Sequence, residues 1–175
     1  MQTVTIAPYS EEWPLRFAEA KAELLLAFAP SEAVVEHIGS TSIPGLAAKP
    51  IIDVLLGAES LNTIERKFEA LARLGYEYVA KHEGEFPMRR YFVKPAGKAP
   101  RVNLHAVVLG SQFWLEHLAF RDALRANSSL VSEYQKLKER LAVEFAHDRP
   151  AYTEAKAPFI RAVIASALPR EHNVG

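Results

Sequence analysis

Residues 36–56 have the sequence Glu36-His-Ile-Gly-Ser-Thr-Ser-Ile-Pro-Gly-Leu-Ala-Ala-Lys-Pro-Ile-Ile-Asp-Val-Leu-Leu56. The short β-branched run at 34–38 predicts one strand, and the apolar run at 51–56 predicts a second. Between them, 39–49 is rich in Gly, Ser, Thr and Pro, which predicts a loop. Asp53 stands alone inside the second apolar strand. Burying a carboxylate is costly unless it has a partner, so this pattern points to a site.

The loop has the residue types that bind phosphate. Gly39 lets the backbone turn sharply and lets a ligand approach closely. The hydroxyls of Ser40, Thr41 and Ser42, together with backbone N–H groups, can donate to phosphate oxygens. Lys49 adds a positive charge near the end of the loop. The loop is therefore a candidate phosphate-binding loop, and the alternative is a capped turn followed by a strand-end aspartate.

Length and composition restrict the class of protein. The chain has 175 residues, 21 basic and 21 acidic, and no cysteine. This length predicts one domain over 1–175 with a sizeable core. The lack of cysteine excludes disulfides, thiolate zinc sites and a cysteine nucleophile. A net charge of zero argues against general nucleic-acid binding.

The sequence shows neither the pattern of a membrane-spanning helix nor that of a signal peptide. No stretch approaches the ~20 apolar residues that a membrane-spanning helix needs. Residues 1–13 lack the charged start and apolar run of a signal peptide. We therefore expect a cytoplasmic protein without a membrane partner.

The spacing at which hydrophobic residues recur divides the chain into an α+β body, residues 1–110, and a helical cover, residues 111–175. In the body, the patterns predict helices at 10–30 and 61–74 and further strands at 3–6, 76–80, 89–94 and 101–109. After Gly110 the period changes from two to 3.6, which predicts three helices that pack as a small bundle. We expect a mixed sheet with flanking helices and this helical cover.

The alternation of side chains between the two faces of a strand suggests that three titratable residues lie close together. Successive strand residues point to opposite faces, so Asp53 shares a face with Leu55, and Asn103 with His105. If the strands are neighbours, His37, Asp53 and His105 would converge beside the loop and act in catalysis. They could also bind a metal: magnesium or manganese through Asp53, or zinc if the imidazoles dominate.

Further cations are candidates for binding phosphate. Arg89 and Arg90 are adjacent on a predicted strand, so only one can share the site face, and we expect the other to be a solvated charge. Lys138 and Lys156 lie on predicted cover helices and could point into the cleft between body and cover.

Arg121 and Arg125 lie four residues apart on the first cover helix and so share a face. They could clamp phosphates. The alternative is that they form ion pairs with acids such as Asp122 and Glu116.

Several landmarks along the chain carry a resemblance to a known family. Residues 36–56 resemble the signature of the GrpB-like family, which belongs to the nucleotidyltransferase-fold superfamily. The further landmarks are Tyr9-x-x-x-Trp13, Arg89-Arg90-Tyr91-Phe92, Leu104-His105-Ala106-Val107, His117-Leu118-Ala119-Phe120-Arg121-Asp122, Tyr134-x-x-Leu137-Lys138 and Tyr152-x-x-x-Lys156. The resemblance implies a mixed sheet, a Gly-Ser turn that holds a triphosphate, and strand carboxylates that bind divalent metal.

The superfamily pattern is only partly present here. Gly39 and Ser40 match the turn, and Asp53 matches the first of two acids spaced Asp-x-Asp. The second acid position is Leu55, expected to face the same cleft, and the third falls near Asn103 or His105, on a strand without an acid. The carboxylate set is thus incomplete.

Three functions are compatible with this pattern. The first is a nucleotide-binding protein that is a weak or divergent nucleotidyltransferase. The second is a non-catalytic module that binds a nucleotide or a coenzyme A precursor, since a similar domain occurs fused behind a dephospho-coenzyme A kinase. The third is a His–Asp metal-dependent enzyme of phosphate chemistry. In each case the expected partner is a nucleotide or another phosphorylated small molecule.

Overall fold

The structure is a computed structural model that describes residues 6–168. Within these residues the chain forms one five-stranded sheet and six α-helices, with short 3₁₀ turns at Ser40–Ser42 and Ala80–His82. The strands are β1 (Ala33–Ile38), β2 (Ile51–Ala58), β3 (Glu77–Tyr78), β4 (Arg89–Lys94) and β5 (Arg101–Val108). The helices are α1 (Glu12–Phe28), α2 (Leu61–Glu65), α3 (Phe68–Arg73), α4 (Gln112–Ala126), α5 (Ser128–Glu144) and α6 (Arg149–Ala167).

The sheet is mixed, in the order β1-β2-β5-β4-β3. Strands β2 and β5 are parallel, and the other neighbouring pairs are antiparallel. Because β1 runs antiparallel to β2, the end of β1 meets the beginning of β2. The 3₁₀ turn after β1 therefore lies beside Asp53, near the start of β2. The α+β class with a mixed sheet is confirmed.

Helices α1, α2 and α3 cover one face of the sheet and form the main core with it. Leu24, Phe28, Ile64 and Leu71 are fully buried there against strand residues such as Phe92. Burying one such side chain contributes about 1.5–3 kcal/mol. This cluster contains more buried side chains than the other clusters of the described residues, so this face supplies most of the hydrophobic stabilisation.

The three predicted cover helices, α4, α5 and α6, are confirmed. Trp114 of α4 packs with Leu55 and Val107 on the second face of the sheet. The loop after β1 is also held by the cover, because Ile43 and Leu46 are buried among side chains of α4, α5 and α6. The cover thus packs directly on the loop that the sequence singles out.

Three local expectations differ from the structure. The helix expected over 61–74 is two short helices, because Lys67 leaves the helical conformation (φ −98°, ψ 2°). The strand expected at 76–80 is limited to β3, and a 3₁₀ turn follows it. Most of the strand expected at 3–6 lies outside the described residues. None of the helices within residues 6–168 has the length and apolar character needed to cross a membrane.

Candidate functional site

Gly39 fixes the relation between the turn and Asp53. Its backbone has φ 71° and ψ −178°, a region that only glycine adopts readily. A Cβ placed on Gly39 would lie 2.5 Å from Oδ2 of Asp53. The glycine is therefore required both by its backbone conformation and by the close approach of the carboxylate.

The three hydroxyls of the turn have different roles. Ser42 Oγ donates to the carbonyl of Gly39 at 2.6 Å, and Thr41 Oγ1 donates to the carbonyl of Ile51 at 3.0 Å. Both side chains are buried; Ser42 closes the turn on itself, and Thr41 ties the turn to the start of β2. Ser40 lines the cleft and lies beside the hydroxyl of the buried Tyr134. Of the three, Ser40 is the hydroxyl best placed to reach a ligand.

His37 does not converge with His105, and that expectation is wrong. In the β1–β2 register His37 pairs with Val54, whereas Asp53 pairs with Ile38. Paired residues share a face of the sheet, so His37 and Asp53 point to opposite faces. His105 lies on the face of Asp53 because β2 and β5 run parallel with Asp53 opposite Asn103.

His37 instead supports the turn from the core side. Its ring stacks on Phe17 at 4.7 Å between centroids, and Nε2 lies 3.0 Å from Thr41 Oγ1. Because Thr41 uses its own proton for Ile51, it accepts the proton of Nε2. Burial, with the charge of Arg125 as the next cause, lowers the pKa of His37 to about 4. A neutral ring thus anchors the turn.

Asp53 is held by a chain of hydrogen bonds across β2 and β5. Arg101 Nε donates to Oδ1 of Asn103 at 2.9 Å, and Nδ2 of Asn103 donates to Oδ1 of Asp53 at 3.1 Å. Nε2 of His105 lies 3.7 Å from the same carboxylate oxygen. The amide of Asn103 thus orients Asp53 and adds no charge beside it.

Arg89 is the arginine that shares the site face, and it fixes the tautomer of His105. Its Nη1 lies 3.3 Å from Nδ1 of His105. A guanidinium only donates, so Nδ1 accepts and the ring proton resides on Nε2, toward Asp53. The rings of Phe86 and Tyr91 lie 4.5 and 5.0 Å from the guanidinium carbon. Arg89 therefore orients His105 from within an aromatic cluster.

Arg90 lies on the opposite face and is not the solvated charge that was expected. It is 8% exposed and pairs with Glu65 at 2.8 Å and with Glu83 at 3.1 Å. Its donors are used by these carboxylates and by the carbonyl of Pro87. This placement contradicts the expectation that Arg90 binds phosphate.

Arg121 also has its donors occupied. Nη1 donates to Glu36 at 2.5 Å and to the carbonyl of His37 at 3.2 Å, and Nε donates to Asp122 at 2.8 Å. Arg121 therefore forms ion pairs, which was the alternative expectation, and is not free to clamp a phosphate. Arg125 donates to the carbonyl of Ser42 at 3.0 Å, so both arginines hold the loop from the cover.

A cleft of about 270 Å³ opens between the turn, the start of β2 and the helices α5 and α6. Its lining contains four cationic side chains and one carboxylate, together with the hydroxyl of Ser40. The cations are Lys49, Lys138, Lys156 and Arg149, and the carboxylate is Asp53. The cleft therefore gathers Ser40, Lys49, Lys138 and Lys156 as expected from the sequence.

The three lysines of the cleft lie near one another, Lys138 buried and Lys49 and Lys156 partly buried. Burial, followed by the charge of Lys156, lowers the pKa of Lys138 to about 7. Burial, followed by the charge of Lys49, lowers the pKa of Lys156 to about 8. The ion pairs formed within residues 6–168 involve other cations, such as Lys94, and none of these three lysines. Within the described residues, four cationic side chains of the cleft thus face a single carboxylate, Asp53.

Arg149 and Tyr152 also line the cleft, and neither is among the site residues expected from the sequence. Tyr152 is buried, and the ammonium groups of Lys49 and Lys156 lie 4.9 and 4.4 Å from its ring centre. Positions 149, 152 and 156 are spaced by three and four residues, so they share one face of α6. That spacing, given Lys156 as a candidate, was a signal that could have found both residues.

The donors at the site do not fit a metal held by the protein alone. Among residues 6–168 there is no group of three or more His, Cys, Asp or Glu side chains that could hold an ion. His37 faces away, and Nδ1 of His105 is used by Arg89. The His–Asp metal centre expected from His37, Asp53 and His105 is therefore not formed. Asp53 alone fits a magnesium ion whose other ligands are substrate phosphates and water.

Leu55, at the second acid position, does not face the cleft as expected. It is on the face of Asp53 but is 0% exposed, packed with Ile38, Val107 and Trp114. Apolar side chains, including Trp114 of the cover helix α4, occupy the space beside Leu55. The fold and the site therefore define a protein of nucleotidyltransferase-like fold with a basic cleft that contains one carboxylate.

The chain belongs to the GrpB family: the family profile described as GrpB protein matches residues 3–166. The UPF0157 protein YqkA of Bacillus subtilis is 37% identical over 158 residues, which are 90% of this chain and 45% of that protein. This chain thus spans about half the length of that relative.

Two solved structures place the fold. The crystal structure of the conserved protein GrpB from Enterococcus faecalis matches with a TM-score of 0.82 and 34% identity, covering 93% of this chain and 96% of that chain. The Cid1 poly(U) polymerase with Mg 3'-dATP bound matches with a TM-score of 0.59 and 13% identity, covering 86% of this chain and 49% of that one. The second likeness is one of fold.

Proposed function

We propose that the cleft binds the phosphates of a nucleotide and that the protein is a divergent, weak nucleotidyltransferase. The observation that carries the proposal is the cluster of Lys49, Lys138, Lys156 and Arg149 around a single carboxylate. Lys138 is buried, Lys49 and Lys156 are partly buried and Arg149 is exposed at the rim. Cations gathered in this way repel one another, and a polyphosphate is the ligand that compensates several of them at once.

The turn supports the same ligand. Gly39 lets the turn pack closely against Asp53, and Ser40 presents a hydroxyl in the cleft beside the lysines. We expect Ser40→Ala to weaken nucleotide binding by about 1.5–3 kcal/mol, the usual size of a hydrogen bond to a charged group. The hydroxyl of Ser42 does not serve this purpose, since it already donates to the carbonyl of Gly39.

Asp53 is the residue that would hold a divalent cation, which would supply charge compensation to the phosphates. With one carboxylate, magnesium binds weakly to the protein alone and more tightly together with a nucleotide. In transfer, an acceptor hydroxyl attacks the α-phosphorus and gives up its proton to water, while the bond from the α-phosphorus to the bridging oxygen breaks and pyrophosphate leaves. Lys138 and Lys156 are placed to stabilise the negative charge that develops on the departing pyrophosphate.

A non-catalytic binding module is the second candidate, and two features favour it. Leu55 is enclosed where the second acid would stand, and Asn103 is neutral and used in orienting Asp53. Two-metal phosphoryl transfer relies on several anionic ligands, which these two positions do not supply.

Calorimetry with nucleoside triphosphates and magnesium tests the binding proposal. The variants are Lys138→Met and Lys156→Met, and the matched control is Lys136→Met, which changes an exposed lysine of α5. Each cleft variant should lose about tenfold or more in affinity, because a charge-assisted hydrogen bond is worth about 1.5–3 kcal/mol. Unchanged affinity in both cleft variants would refute the proposal.

Turnover separates the two candidates. The protein is incubated with α-labelled nucleoside triphosphates, magnesium and a panel of hydroxyl acceptors, and pyrophosphate and labelled products are measured. Pyrophosphate release that disappears in Asp53→Asn supports the transferase. Binding without release of pyrophosphate supports the binding module.

A further inference from the structure

Three neutral polar side chains of the cleft are already engaged within the protein. Thr41 donates to Ile51, and Thr153 Oγ1 donates to the carbonyl of Arg149 at 3.0 Å. Asn103 donates to Asp53 and accepts from Arg101, so both ends of its amide are used. These are the side-chain types that recognise the edges of a nucleobase, and each of the three is already tied to a partner within the protein.

Among the described residues, the cleft also offers no open aromatic surface. Its aromatic residue, Tyr152, is 3% exposed, and the ammonium groups of Lys49 and Lys156 lie 4.9 and 4.4 Å from its ring centre. A base that stacks needs an accessible π-face, as in single-strand binding proteins. In this cleft the ring serves as a platform for lysines instead.

What remains free in the cleft recognises phosphate. Lys49, Lys156 and Arg149 present cationic donors, Lys138 keeps two N–H donors beyond the one that Ala47 accepts, and Ser40 presents a hydroxyl. The volume of about 270 Å³ lies below the roughly 300–1,000 Å³ typical of pockets that enclose whole drug-sized ligands. The described lining thus has the donors for a phosphate chain and lacks the groups and the space for a base and a sugar.

We propose that the site recognises the triphosphate group alone, so that it binds inorganic triphosphate and nucleoside triphosphates without selecting the base. This inference rests on the proposed function, because it assigns the same cleft to phosphates. It adds that specificity for the remainder of a substrate does not come from the residues that line the cleft.

Calorimetry at one magnesium concentration tests the inference with ATP, GTP, CTP, UTP, inorganic triphosphate and AMP. We expect the four nucleotides to agree within about threefold, because one good base contact alone would separate them by about fivefold or more. Inorganic triphosphate should bind within about fivefold of ATP, and AMP should bind at least about tenfold more weakly, because it offers one phosphate to several cations.

Lys138→Met and the control Lys136→Met are titrated with the same compounds. Lys138→Met should weaken all five triphosphates by a similar factor, and the control should weaken none. Selectivity of more than about tenfold for one base, or binding of ATP without inorganic triphosphate, would overturn the inference while leaving nucleotide binding intact. Failure of all the phosphates to bind would overturn the proposed function itself.

Discussion

Replacing Lys138 by Met should make the protein more stable and less able to bind a triphosphate. The side chain is 3% exposed, its ammonium group donates to the carbonyl of Ala47, and Lys156 adds repulsion. Methionine has a similar length and no charge, so the substitution removes the buried cation while filling the same space. Opposite changes in stability and binding distinguish a ligand-binding cation from a structural one.

The magnitude follows from the pKa of Lys138, which falls from 10.5 to about 7 on folding. Below pH 7 the folded and the unfolded protein both hold the proton of Lys138. In that range the lowered pKa reduces the free energy of unfolding by about 5 kcal/mol. Between pH 7 and 10.5 the unfolded chain binds more protons than the folded one, so the penalty shrinks as pH rises. About 2 kcal/mol of the penalty remains at about pH 9.

The lost hydrogen bond to Ala47 offsets about 1–2 kcal/mol of this gain at every pH. Lys138→Met should therefore raise the unfolding free energy by about 3 kcal/mol at about pH 6 and by less than about 1 kcal/mol at about pH 9. Urea unfolding at both pH values measures the difference, with Lys136→Met as the exposed control on the same helix. Equal effects of Lys138→Met at the two pH values would refute the reasoning.

Three further substitutions test the turn and the carboxylate positions. Gly39→Ala should cost about 2 kcal/mol or more in urea unfolding, because of the positive φ and the contact with Asp53, whereas Gly84→Ala, whose new Cβ meets no atom within 4 Å, should cost little. Leu55→Asp should destabilise by about 3 kcal/mol or more and should not tighten magnesium binding, since it buries a carboxylate among apolar side chains, and tighter binding in a magnesium titration would contradict this. Asp53→Asn should unfold normally and should lose the magnesium-dependent part of ATP affinity measured by calorimetry, because an amide still accepts from Asn103 but is a poor magnesium ligand.

The parts of the site that depend on neighbours in sequence were predictable. Gly39 was selected because a turn between two strands needs its conformational freedom, and its φ of 71° agrees. Asp53 and His105 were placed on one face by alternation, and the in-phase parallel register of β2 and β5 brings them together. The three cover helices followed from their period of about 3.6 residues.

The placement of His37 shows the limit of alternation. Alternation fixes which residues of one strand share a face, but the pairing register decides how the faces of two strands correspond, and a shift of one residue reverses them. The β1–β2 register sets His37 against Val54 and so directs it to the core. The residue patterns of 34–38 and 51–56 do not predict which residues of the two strands pair.

The sequence by itself determined the strands, the cover helices, the glycine turn and the single acid of the cleft, because each depends on residues a few positions apart. Only the tertiary structure decided which cations are free to bind a ligand. Arg121 is neutralised by Glu36, 85 positions away, whereas Lys138 reaches the loop 91 positions away and, among the described residues, finds a carbonyl but no carboxylate. The physical reason is that the net charge of a site depends on partners brought together by folding, and such distant pairs leave no periodic trace in the sequence.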